Sequence, residues 1–243
     1  MEITTVRFYE MTIPTHIEIN GQSKPTTNSN GKLIHNTLHG IKNFWHWFGN
    51  SKVVDSNGRP LVLYHGTAKD FPAFSTATQG DTFSDVEVNV PRDGFWFTPD
   101  ASYAHGYSNA SARTNISKSG QHILSVYLKI LNPFKYTMDM YETDGIAGVP
   151  DQFELESHKH DGIFVEIPNE NEDNPEVEKM WKKYLPIYGA PYSWPKEIQA
   201  EYEKILYPPL TLKQMNYVAF EPNQIKSATG NSGNFSNADD LTN

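Results

Sequence analysis

The 243-residue chain has no cysteine, which excludes disulfide staples and thiolate metal centres and leaves the redox compartment unmarked. No apolar run approaches the length that spans a bilayer. The opening stretch MEITTVRFYEMTIPTHIEIN lacks the basic-then-apolar order of a secretory signal. A cytoplasmic protein, or one delivered into a host cell by a route that leaves no such signal, is expected, with no membrane partner. Basic residues are in the minority, 20 Lys and Arg against 29 Asp and Glu. That balance argues against a broad footprint for nucleic acid, whose phosphates need clustered cations. Neither G-x-G-x-x-G nor a G-x-x-x-x-G-K followed by Ser or Thr occurs, so a dinucleotide or triphosphate would have to bind by another device.

What is present suffices for one core, or a core with a small appendage, since 37% of residues are hydrophobic and 13% aromatic. Residues 1–36 read as a polar leader and linker, because NGQSKPTTNSNG from Asn20 is polar and turn-forming. Ordered structure is expected from about Leu33. Leu38, Ile41, Phe44, Trp45 and Phe48 recur at spacings of three and four before Gly49, which predicts an amphipathic helix. Short aromatic and β-branched runs then predict strands at 61–65, 94–98, 122–130, 161–167 and 216–221. Helical signals fall between them, from Pro99 to Ser111 and across NPEVEKMWKKYL and WPKEIQAEYEKIL. The fold class is α+β, with strands too short and helices too irregular for a doubly wound nucleotide fold.

Three stretches carry chemistry. In LVLYHGT a strand ends in His65, Gly66 and Thr67: an imidazole, a backbone with no Cβ and a hydroxyl, a set suited to a small polar ligand. It is equally a strand closed by a turn glycine. In GFWFTPDASYAHGYS, Trp96 lies on a strand and Tyr107 on the following helix, a strand-turn-helix that can fold the two rings into a slot for a flat cationic heterocycle. Both rings could instead belong to the core. In MNYVAFEPNQIKSATGN a strand begins at Asn216 and stops at Pro222. His105 on the intervening helix faces either the cleft or solvent. His158-Lys159-His160-Asp161 has metal-like residue types but no third ligand at recognisable spacing, so a solvated loop and no metal site is expected. The acidic run ENEDNPEVEK reads as solvated surface.

Together, YHGT, GFWFT with its following Tyr107, and NYVAFEPNQIKSATGN resemble the phage-associated, polyvalent-protein type of ADP-ribosyltransferase, in the clan of diphtheria toxin and the poly(ADP-ribose) polymerases. FWHWFGNSKVVDSNGRPLVLYHGT resembles the same family. The resemblance runs from about Ile41 to Phe235, within an expected domain at 37–235 that carries a variable insert at about 138–210, with 236–243 as a flexible tail. It implies a split, mostly antiparallel β-sheet with peripheral helices that binds NAD+ as substrate in a cleft. His65 then corresponds to the clan histidine that hydrogen-bonds a ribose, the Gly66 backbone holds the carboxamide, and Thr67 assists. Trp96 stands where the clan usually has its triad tyrosine, and Tyr107 at the second aromatic of the nicotinamide clamp. Asn216 stands where the clan commonly carries a glutamate; Glu221 and Gln224 are lower-ranked substitutes. The implied activity is mono-ADP-ribosylation of a macromolecule, with a protein acceptor ranked above nucleic acid. An NAD+ glycohydrolase or a catalytically degenerate NAD-binding phage module are the alternatives.

Overall fold

The computed structural model describes residues 12–67, 71–76, 94–113, 122–145, 148–150, 152–167, 174–206 and 214–243. The described chain opens with a hairpin of β1 (His16–Ile19) and β2 (Gln22–Pro25). Asn20 and Gly21 join them with φ of 50° and 75°, the left-handed pair that a two-residue hairpin turn requires. Ile17 and Ile19 alternate onto one face and are buried with Ile34 against α1 (Leu38–Phe48). The sequence reads this stretch as linker; here residues 13–34 supply part of a core.

Helix α1 forms where the apolar spacing predicts it. Thr37 caps it, its hydroxyl accepting from the Gly40 N–H at 3.0 Å, and Gly49 ends it at φ 59°. Phe44 lies at the centre, its ring packed on Trp45, Trp47, Phe48, Tyr127 and Phe235. Each indole finds a backbone acceptor, Trp45 on Pro25 O at 2.9 Å and Trp47 on Asn223 O at 3.1 Å. The helix is therefore buried on more sides than a one-faced stripe implies, and it ties the hairpin to the late part of the chain.

Two sheets follow. In the first, β3 (Leu63–Thr67), β5 (His122–Leu128) and β9 (Ile225–Ser227) run antiparallel in that order. In the second, β4 (Phe95–Phe97), β8 (Met215–Ala219), β7 (Gly162–Glu166) and β6 (Phe134–Tyr136) lie in that order, antiparallel apart from the β6–β7 pair. The sheets meet at Tyr64 and Thr98, which exchange two backbone hydrogen bonds of 2.7 and 3.0 Å. Leu63, Phe95, Phe97, Val126, Leu128 and Tyr217, from both sheets, share one apolar cluster. This is the split, mostly antiparallel α+β architecture expected.

The helices are peripheral. Helix α2 (Ala101–Arg113) lies on β3, while α3 (Met138–Asp144) and α4 (Gln152–Ser157) flank β7. Helices α5 (Pro175–Tyr188) and α6 (Lys196–Leu206) form a hairpin closed over Val177, Met180, Trp194, Tyr202 and Leu206. None among the described residues is long and apolar enough to cross a membrane. The sequence reads 236–243 as a flexible tail, yet Leu241 is buried in the shared cluster, and its backbone bonds Ser227 and Pro72. One apolar residue among polar neighbours gives too little local signal to reveal that packing.

Candidate active site

Strands β3 and β4 pair at Tyr64 and Thr98 and then part. Continued antiparallel pairing would set Gly66 opposite Trp96, but the His65 imidazole stands in the way, its Nδ1 2.9 Å from Trp96 O. A carbonyl only accepts, so Nδ1 carries the proton and Nε2 of the neutral ring keeps its lone pair. Backbone polar groups alternate sides along a strand. Those of Tyr64 point away from β5 toward Thr98, so those of Gly66, two residues on, point into the opening between the sheets.

Gly66 has a second reason to lack a side chain. A Cβ there would sit 1.8 Å from Ala104 O and 3.0 Å from Ser108 N, so the backbone of α2 lies flush on the strand. Beside the close approach of a ligand expected from the sequence, the glycine here permits close approach of a helix. Ala104 and Ser108, both buried, form the facing stripe. Asp100 caps α2, its carboxylate accepting from the Ser102 N–H at 2.8 Å, while Thr98 Oγ1 accepts from the Asp100 N–H at 3.2 Å. The helix bearing Tyr107 is thus fixed to the end of β4. Tyr107 is half-buried and its hydroxyl lies 3.2 Å from that of Tyr103, with ring centroids 5.3 Å apart. His105 is exposed beside Ser108.

Trp96 turns to the opposite face of β4 from Phe95 and Phe97, packing on a cluster that includes Val165, Val218 and Phe220. Asn216 is buried on that same face: Trp96 pairs with Val218, two residues along β8, making Asn216 its diagonal neighbour. Across from Asn216 on β7 is Val165. Thr67 is buried at the end of β3. The two substitutes lie elsewhere. Gln224 is consumed by the backbone: its Oε1 accepts from the Phe220 and Glu221 N–H groups, and its Nε2 donates to Lys129 O and Asp161 O. Glu221 is exposed at the start of the same 3₁₀ turn. His158 and His160 are tied to Glu154 O and Asn132 O, and the Asp161 carboxylate accepts from the Leu131 and Asn132 N–H groups. Among the described residues no group of three ligating side chains could hold a metal ion.

Phe71 and Phe74 complete the surroundings of His65. Their rings lie 6.5 and 5.0 Å from the imidazole, and Phe97 lies 5.5 Å away. Neither belongs to the three motifs, although an aromatic pair spaced by three in AKDFPAFS is a usable signal. Burial among these rings pushes the His65 pKa below the ordinary histidine value, against the opposing effect of the Trp96 carbonyl. The unfolded chain takes up that proton near pH 6.5 and the folded chain only lower, so stability falls as pH drops below about 6.5. His65→Gln should flatten this segment of the pH–stability curve. Urea midpoints of wild type and variant at pH 7.5 and 5.5 check it: an unchanged pH difference would place the sensitivity on another group.

A family model described as ADP-ribosyltransferase in polyvalent proteins matches residues 55–235. The chain belongs to that family. The match spans β3 to β9, and so both sheets, the opening between them and the late strand. No curated protein and no solved structure matches the chain. ADP-ribosyltransferases use NAD+ as substrate.

Proposed function

We propose that the opening between β3 and β4 binds NAD+, and that the protein breaks the nicotinamide glycosidic bond and passes one ADP-ribose to a macromolecular acceptor, a protein before a nucleic acid. The observation that carries this reading is the parting of the two strands beyond Tyr64 and Thr98, which leaves the Gly66 backbone facing the gap beside His65 and Trp96. Gly66 N–H and C=O suit the donor and acceptor of a carboxamide, and Thr67 adds a hydroxyl at the strand end. With its Nδ1–H committed to Trp96 O, neutral His65 has only Nε2 to offer, an acceptor for a ribose hydroxyl. Trp96 and Tyr107 supply π-faces for the nicotinamide cation. Asn216 hydrogen-bonds the ribose as nicotinamide leaves, without the charge that a carboxylate would place near the oxocarbenium. Action inside a cell, as a cytoplasmic or delivered protein, belongs to the same proposal.

Incubation with adenine-labelled NAD+ in lysate tests the reading. Label on a macromolecule is the expected result. Free ADP-ribose alone would make the protein a glycohydrolase, and binding without turnover a degenerate module. The stacking role has its own check. Tyr107→Ala should weaken NAD+ binding by the roughly 0.5 to 2 kcal/mol of a cation–aromatic contact, and Tyr107→Phe far less. Calorimetric titration of both variants reads the difference; equal losses would shift the role to the hydroxyl shared with Tyr103.

A further inference from the structure

A lysine is buried where the fold has no evident need of one. Lys226, on β9, has no solvent exposure, and its ammonium donates to Ala238 O and Asp240 O at 2.6 Å each. An ammonium withdrawn from water is costly unless acceptors are fixed around it, so these carbonyls must stay in place. Local bonds help hold them: the Asp240 carboxylate accepts from Thr242 N–H and Oγ1–H, both at 2.7 Å. The next residue is gripped from two sides. Ser227 N–H donates to Leu241 O at 2.8 Å, and Leu241 N–H donates to Pro72 O at 3.2 Å, while Asp240 pairs with Ala73. The Leu241 side chain enters the same apolar cluster as Phe74.

The segment so gripped is the one that walls His65. Phe71 and Phe74 stand on either side of the Pro72–Ala73 contact, their rings 4.9 Å apart, and Phe74 and the imidazole form a T-shaped pair with centroids 5.0 Å apart. A continuous line of contacts therefore runs from Lys226 through residues 238–242 to residues 71–74 and His65. Residues 238–242 lie beyond the 55–235 family match, so the strap is a feature of this chain that the match does not supply.

We propose that Lys226 and Leu241 are positioning residues for the NAD+ site, holding residues 71–76 against His65 through a strap formed by residues 238–242. This rests on the reading of His65 as a ribose-binding group. Neither residue touches substrate; both act through Phe71 and Phe74, which fix the ring and keep water from it.

Leu241→Ala and Lys226→Met, each in the full chain, test the strap. Three measurements are made: amide hydrogen exchange, the His65 titration by imidazole NMR, and steady-state kinetics with NAD+. Loosening the strap should speed exchange in residues 71–76 by roughly tenfold or more while β7 and β8 stay protected. The His65 midpoint should rise toward the ordinary histidine value. The KM for NAD+ should rise several-fold with kcat changed less than about twofold, as expected when binding rather than chemistry is disturbed. A folded Leu241→Ala protein with unchanged exchange at 71–76 and an unchanged His65 midpoint would overturn the proposal. If both variants fail to fold, native-state exchange of the wild type decides: the Leu241 amide and the 71–76 amides should open together, and separate openings overturn the strap. Should the wild type not handle NAD+ at all, the site assignment fails, while exchange and titration still judge the strap.

Discussion

Asn216→Glu should raise the rate of nicotinamide release from NAD+. Asn216 is buried on β8, on the face that carries Trp96, with Val165 opposite it on β7. An amide there can hold a ribose hydroxyl but brings no charge to the cation that develops as nicotinamide departs. A preorganised electrostatic group can be worth about 10²- to 10³-fold in rate, so partial restoration is measurable. Burial also acts on the new carboxyl, pushing its pKa up and delaying its charge to higher pH. The gain should therefore grow as pH rises and the carboxyl ionises. The added charge favours any acceptor, water included, so release should rise more than macromolecular labelling. Nicotinamide release and acceptor labelling followed side by side, across pH, test this. A folded, NAD-binding Asn216→Glu protein with no gain at any pH would remove Asn216 from the reacting end of the cleft. Glu221 would then be the next acidic residue to examine, since the Gln224 side chain is spent on backbone partners.

Gly66→Ala should damage both fold and site, and a neighbouring glycine supplies the control. The new methyl would meet Ala104 O at 1.8 Å, a backbone atom that cannot swing aside, so α2 must lift from β3 or the strand must bend. Overpacking of this kind costs typically 1 to 3 kcal/mol, and a backbone-on-backbone clash belongs at or above the upper end. Displacing α2 also moves Tyr107 and opens the gap that Gly66 faces, so NAD+ affinity should fall beyond what the folded fraction explains. Gly106 lies on the exposed side of the same helix, where an added Cβ meets nothing within 4 Å. Gly106→Ala should stabilise the protein by about 0.5 to 1 kcal/mol, the ordinary gain of alanine over glycine in a helix. Urea unfolding of the pair checks the sign. Destabilisation by Gly66→Ala no larger than a few tenths of a kcal/mol would contradict the flush packing.

The strands that carry the three motifs were legible in the sequence because each is a short aromatic and β-branched run bounded by turn residues. YHGT ends β3, FWF forms β4 and NYVA lies in β8, each within two residues of where the patterns place it. What stayed hidden depends on distant partners. The hydrophobic runs do not say that β3 and β4 share one pair and then separate, because that follows from His65 taking Trp96 O. Strand β9 is only Ile-Lys-Ser and has no apolar alternation; it is a strand because its backbone pairs antiparallel with β5, a partner distant in sequence. The β1–β2 hairpin was within reach, since Asn-Gly after IEI is a strong short-range turn signal, but the polar residues after it favoured a linker. Gln224, weighed as a catalytic substitute, shows the opposite error: nearness in sequence to a reactive strand says nothing of where an amide spends its hydrogen bonds.

A crystal structure of the protein with NAD+ or an unreactive analogue tests the central claim most directly. The nicotinamide ring is expected beside Trp96, its carboxamide bonded to the Gly66 backbone, a ribose hydroxyl on His65 Nε2 and the other end of that ribose toward Asn216. Density for the dinucleotide elsewhere, with the gap between β3 and β4 empty or filled by protein, would contradict it.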